Sequence, residues 1–186
     1  QQCRVLFPEG EHPTVLRACR SIIDEGIATP VLLGNRARIA QLAGELHLDI
    51  NKVEINEIEN HPRLPYYAEE FYRMRQRKGI TRNEAEQFLR NPNLFGAMMV
   101  HLEDADALVS GLTTHYPDTV RPLLQVIPLR PGVTKASGLY LVITSRSKLY
   151  FLADCTVNIE PSSEDLAEIA LCAADTARRF DVEPRV

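Results

Sequence analysis

DADALVSGLTTHYPDTVRPLLQ, residues 104–125, joins a short apolar strand to a helix through a small, hydroxyl-rich turn. Ala105 to Val109 is apolar except for Asp106, which suits a parallel strand covered on both faces. Ser110-Gly111 breaks it. Thr113, Thr114 and His115 lie in the turn, Pro117 fits the first helical turn, and Asp118 or Thr119 is placed to cap a helix running through Val120, Leu123 and Leu124. Free backbone N–H groups and hydroxyls would then converge at a helix N-terminus, where the dipole favours a phosphate or similar anion. Arg121, about one turn further on, would add a forked cationic clamp. An ordinary strand-to-helix connection, whose hydroxyls only cap backbone, fits the local pattern equally well.

Outward from this stretch the chain alternates strands and helices. Cys3–Phe7 reads as a strand and Pro13–Glu25 as a helix with Val15, Leu16, Cys19, Ile22 and Ile23 on one face. Ala28–Leu33 is a second strand, Ala37–Leu48 a second helix, and Val53–Ile55 an edge strand. Short connections between such units imply a parallel sheet flanked by helices, an α/β fold. Three helices follow, Tyr66–Lys78, Thr81–Arg90 opened by a Thr81-x-x-Glu84 capping box, and Pro92–Leu102. After Pro131-Gly132 the pattern changes. Ser137–Thr144 and Lys148–Ala153 read as a β-hairpin, then Ser163–Arg179 as a helix, and Val182–Val186 as the approach to another strand. A domain boundary is therefore placed near Pro131-Gly132, giving lobes 1–131 and 132–186.

A formal net charge of -4 leaves no basic stripe for nucleic acid, and no apolar run is long enough for a membrane helix, so a cytoplasmic protein with a small-molecule ligand is expected. Cys3, Cys19, Cys155 and Cys172 have no C-x-x-C spacing and sit in apolar patterns, which predicts buried, reduced thiols. The five histidines show no metal-ligand spacing, so no metal site is expected. Pro8-Glu9-Gly10-Glu11 lies at the carboxyl end of the first strand, where open α/β sheets bind ligands. Acidic side chains would repel a phosphate there, so Glu9 and Glu11 are expected to fix basic neighbours or cap the helix. Asp154 is expected to hold a turn.

SGLTTHYPDTVRPLLQVI (110–127), PGVTKASGLYLVI (131–143), FLADCTVNIEPSSEDLAEIAL (151–171) and RRFDVEPRV (178–186) resemble, in order and spacing, the phosphate acetyltransferase and butyryltransferase family. Upstream, RVLFPEGEHPTVLRA (4–18), FYRMRQRKGIT (71–81) and NPNLFGAMMVHLEDADALVSG (91–111) extend the resemblance over nearly the whole chain. Within the family, three details look most like the C-terminal phosphotransacetylase-like domain of bacterial NADP-dependent malic enzymes. They are a Leu112-Thr-Thr-His-Tyr-Pro117 turn where transferases carry Ala-x-His-Thr-Thr-Ala, the Arg178-Arg179-Phe180 triplet, and Phe95–Val100.

That resemblance implies a two-lobed fold, incomplete here, in which acetyl-CoA acts as an effector of a regulatory, homo-oligomerising domain. Oxidative decarboxylation of malate to pyruvate, with NADP and Mg or Mn, would belong to a region absent from this chain. The family's catalytic Ser, Arg and Asp would lie beyond Val186, leaving no catalytic residue here. The alternative is a catalytic phosphate acetyltransferase, and a third reading is a CoA-binding or scaffolding module. The expected CoA and phosphate contacts are Arg75, which matches a family arginine of the CoA and phosphate cleft, with Ser110, Gly111, Thr113, Thr114, His115 and Arg121. Lys135 and Ser137 join them on the resemblance alone.

Overall fold

The computed structural model describes residues 2–51 and 53–186. Its elements run β1 (Arg4–Phe7), α1 (Pro13–Asp24), β2 (Thr29–Leu33), α2 (Arg36–Glu45), β3 (Glu54–Asn56), α3 (Leu64–Arg75), α4 (Arg82–Phe88), α5 (Pro92–His101), β4 (Ala107–Leu108), α6 (Tyr116–Val126), β5 (Leu139–Ile143), β6 (Leu149–Ala153) and α7 (Ser163–Arg179). They form two compact units, Gln1–Pro128 and Leu129–Val186.

The first unit is built on a four-stranded parallel sheet in the order β3-β2-β1-β4. Alternation along the strands sends successive side chains to opposite faces, and here both faces are covered. Leu6, Val31 and Leu33 join Tyr67, Phe71, Leu89, Phe95 and Met98 in one core under α3 to α6. Phe7, Leu32 and Ile55 join Val15, Leu16, Cys19 and Ile39 in the other, under α1 and α2. α5 is the centre of the larger core: Asn93 through Met99 are all buried, and Gly96 lets its backbone press onto Leu6 and Leu108.

Local chemistry sets the element ends. Asn35, Thr81 and Asn91 accept backbone N–H bonds at the starts of α2, α4 and α5, and Thr81 and Glu84 complete a reciprocal capping box. β4 is shorter than the expected 105–109 strand. Asp106 instead ties its own carboxylate to the Arg4 N–H at 2.7 Å, while Arg4 and Asp106 also exchange a backbone bond. α2 stops at Glu45, short of the expected Leu48, because the chain turns through His47 at a φ of 52°.

The second unit is an antiparallel hairpin, β5 against β6, with α7 packed on β6 and closed by a Ser162–Asp165 capping box. Phe151 meets Phe180 with ring centroids 5.8 Å apart. Much of the hairpin is bare, with Ile143 67% and Tyr140 50% exposed. Residues 182–186 form no strand. The Asp154 carboxylate accepts from the backbone N–H groups of Gly138, Thr156, Val157 and Asn158 and from the Asn158 amide, at 2.7–3.1 Å, so it does hold the turn after β6. Of the four cysteines all are free thiols, but only Cys19 is buried; Cys3 and Cys155 are exposed and Cys172 is intermediate. The expectation of four buried thiols fails because an apolar pattern does not ensure cover: Cys3 and Cys155 lie just outside β1 and β6, and Cys172 lies on α7.

Candidate functional site

A cleft of about 710 Å³ opens in the first unit above the carboxyl ends of β1, β2 and β3. Open parallel sheets leave such a space because their connections depart to opposite faces. Pro8 and Glu9 follow β1, Leu33 and Gly34 close β2, Glu57 and Ile58 follow β3, and the starts of α1, α2 and α5 supply His12, Asn35 and Asn91. Gly10 is required in this rim: a Cβ there would sit 2.5 Å from the Leu33 carbonyl oxygen.

The cleft holds its charges largely by internal pairing. Glu11 accepts from the Asn35 N–H at 2.8 Å and pairs with Arg38 at 3.1 Å, and Glu57 accepts from the Arg36 N–H at 2.8 Å. Glu9 does something different. Its Oε2 accepts from the N–H groups of Gly111 and Leu112, both at 3.1 Å, and its Oε1 accepts from the N–H and hydroxyl of Thr113, at 2.5 and 2.7 Å. Burial alone would raise the Glu9 pKa, but these bonds outweigh it and leave the carboxyl below its usual range.

The turn identified from sequence is therefore not a set of free donors. The amides of Gly111 and Thr113 are held by Glu9, a carboxylate from the far end of β1. The Ser110 hydroxyl donates to Asn93 Oδ1 at 2.6 Å. Thr114 and Thr119 share a hydroxyl–hydroxyl bond of 2.6 Å, and His115 opens α6 as N-cap without a side-chain capping bond. Neither Asp118 nor Thr119 is the cap: Asp118 lies within the first turn, and Thr119 is buried, with its hydroxyl turned toward the His115 carbonyl. Glu11 does fix a basic group, as expected; Glu9 fixes backbone instead.

Thr113 and Thr114 line the cleft, and Ser110 reaches it through Asn93. Arg75, His115 and Arg121 belong to the same unit but do not line that cleft. Among the described residues neither arginine forms an ion pair, and the Arg75 Nε is buried without a hydrogen-bond partner. Lys135 and Ser137 belong to the second unit. Lys135 is engaged there, its ammonium 2.5 Å from Asp165 and its N–H bonded to Glu168. Among the described residues no cluster of His, Cys, Asp and Glu could hold a metal ion, and no helix is long and apolar enough to cross a membrane.

A carboxyl-end cleft and an anchored hydroxyl loop follow the strands of the parallel sheet, and the phosphate acetyl/butaryl transferase family model matches residues 1–186. The chain belongs to the phosphate acetyl/butaryl transferase family. It is 40% identical over its whole length to a phosphate acetyltransferase of Synechocystis, of which it spans 27%, and 39% identical to one of Clostridium acetobutylicum, of which it spans 57%. A phosphotransacetylase structure from Streptococcus pyogenes matches 98% of the chain, with TM-score 0.93 and 35% identity, over 56% of that structure. The EutD phosphotransacetylase from Staphylococcus aureus gives 0.89 at the same identity, over 55% of its length. The chain thus spans between a quarter and little more than half of these relatives.

These relatives overturn the malic-enzyme reading, together with the oxidoreductase chemistry and the NADP attached to it. The Leu112–Pro117 turn and two short motifs had favoured that branch. They are few residues, and similarity across the full 186 outweighs them.

Proposed function

We propose that this family member is part of a phosphate acetyltransferase, the enzyme that exchanges an acetyl group between the thiol of CoA and inorganic phosphate. What supports the reading is whole-chain similarity to proteins of that name, at 34–40% identity over 183 to 189 residues. In the reaction a phosphate oxygen bonds to the acetyl carbonyl carbon, the C–S bond of acetyl-CoA breaks, and the thiolate leaves with the electron pair.

Both substrates are anionic, so the chain must supply cation. Arg75 and Arg121 suit this role, because among the described residues neither guanidinium has a carboxylate partner, and a guanidinium can form forked bonds to phosphate. Thr113 and Thr114 line the cleft, and Ser110, Gly111 and His115 belong to the same turn; Lys135 and Ser137, in the second unit, are proposed as contacts on the family resemblance alone. Orientation of the two substrates is the main service such a site gives. In the complete polypeptide, CoA release from acetyl-CoA should depend on phosphate and proceed at on the order of 10 per second. A release rate indistinguishable from the enzyme-free control would overturn the reading.

A further inference from the structure

We propose that Glu9 is a positioning residue of the acyl-transfer site, an internal anion that permanently fills the backbone nest of residues 111–113 and so fixes the loop leading into α6. The inference rests on the acetyltransferase reading for its catalytic consequence, but not for the latch itself.

Three consecutive N–H groups pointing at one carboxylate form the concavity that backbone uses to bind anions. Here the anion comes from the protein. One carboxylate receives four bonds across 102 to 104 residues of sequence, from a residue two positions past β1 to the loop after β4. The loop has little else to hold it. Gly111 takes a φ of 113° with nothing within 4 Å of where a Cβ would lie, Leu112 is half-exposed, and His115 gives α6 no side-chain cap. On the other side Ser110 is tied to Asn93 of α5, and α6 is seated through buried Thr119 and Val126. Between those anchors Glu9 holds residues 111–113 through all four of these bonds.

Two things follow for substrate. The nest is closed to phosphate, which would meet both filled donors and a negative charge. Recognition of anions then falls to side chains, and Arg121, in the second turn of α6, is aimed by a loop whose path Glu9 sets.

Glu9→Ala, with Glu9→Gln as the near-isosteric control, should be compared with the parent in the complete polypeptide by hydrogen exchange over residues 110–116 and by kinetics with acetyl-CoA and phosphate. Exchange should accelerate in Glu9→Ala and less in Glu9→Gln, whose amide oxygen can still accept. kcat/KM should fall by about 100-fold in Glu9→Ala, the size expected from misplacing a positioned group, with kcat more affected than KM. Sodium formate should restore part of it by refilling the nest. Unchanged exchange in Glu9→Ala overturns the latch, as does loss of activity that formate does not restore. A lower KM for phosphate in Glu9→Ala, with phosphate slowing exchange of 111–113, would show instead that the nest is a substrate site that Glu9 obstructs. If Glu9→Ala fails to fold, Glu9→Gln decides on the same readouts. Absence of acetyl transfer in the parent would sink the acetyltransferase reading while leaving exchange to decide the latch.

Discussion

Tyr67 donates its hydroxyl to the carboxylate of Asp104, joining α3 to the segment that leads into β4 across 37 residues. The phenol is fully buried, and Arg63 pairs with the same carboxylate. Desolvation, then the hydrogen bond to Asp104, holds the Tyr67 pKa above its ordinary value. Tyr67→Phe removes one of the two partners of a partly buried charge. Chemical denaturation should show a loss of about 1.5 to 3 kcal/mol, the range for hydrogen bonds to charged groups. A loss below a few tenths would mean that Arg63 alone satisfies Asp104.

Glycine substitutions should separate two packing environments. A Cβ on Gly10 meets the Leu33 carbonyl oxygen at 2.5 Å and Leu32 Cβ at 2.9 Å, neither able to swing aside. Gly10→Ala should therefore cost at least about 1 to 3 kcal/mol, as overpacking does. Gly44, in α2, has nothing within 4 Å of a Cβ. Gly44→Ala should stabilise by about 0.4 to 1 kcal/mol through reduced freedom of the unfolded chain. Thermal melts of the pair check both signs.

Thiol labelling should read the burial pattern. Burial pushes the Cys19 thiol up to about 12, and its side chain has no exposed surface. Cys3 and Cys155 should react promptly with an aromatic disulfide reagent at pH 8, Cys172 more slowly, and Cys19 only after denaturant is added. Early labelling of Cys19, mapped by mass spectrometry, would contradict the tight core beneath α1.

Acid should loosen the turn after β6 late rather than early. Burial tends to raise the Asp154 pKa, but bonds from Thr156, Asn158 and Val157 overcome it and push the pKa well below the usual carboxylate range. A depressed folded pKa gives stability that is present above the unfolded value and lost as pH falls through the folded one. Protection of amides 156–158 should survive at pH 4 and fade only under stronger acid. Asp154→Asn should lose that protection at neutral pH, and an unchanged exchange pattern there would refute the assignment.

Arg75→Ala and Arg121→Ala should each weaken acetyl-CoA binding by roughly 1.5 to 3 kcal/mol, the range for charge-assisted bonds. Calorimetry on the complete polypeptide measures it, with the unfolding transition as control. Parent-like affinity in either variant would assign that arginine a structural role.

The layered sheet was legible because it is written locally. Leu6 and Phe7, or Leu32 and Leu33, are adjacent apolar residues whose alternation requires two cores, and Thr81 with Glu84 announces α4 within four residues. The turn after β4 was legible as a donor-rich loop, and Glu9 as a residue unsuited to touch phosphate. That the two complete each other was not legible, since nothing in either segment encodes a partner 102 residues away. Asn93 was equally silent: an amide inside a helix reads as neutral until Ser110 is seen to face it.

The strand order also sets a timetable. β1, β2 and β3 pair between neighbours in sequence, whereas β4 must reach back to β1 past the α3–α5 segment, matching Val5 with Ala107. Closing so long a loop costs chain entropy before any contact rewards it. The first three strands with α1 and α2 should gain protection earliest in refolding, and the β4 edge with residues 110–115 last. The cleft's polar wall is thus the slowest part of the first unit to be born, and the first to lapse when stability is short.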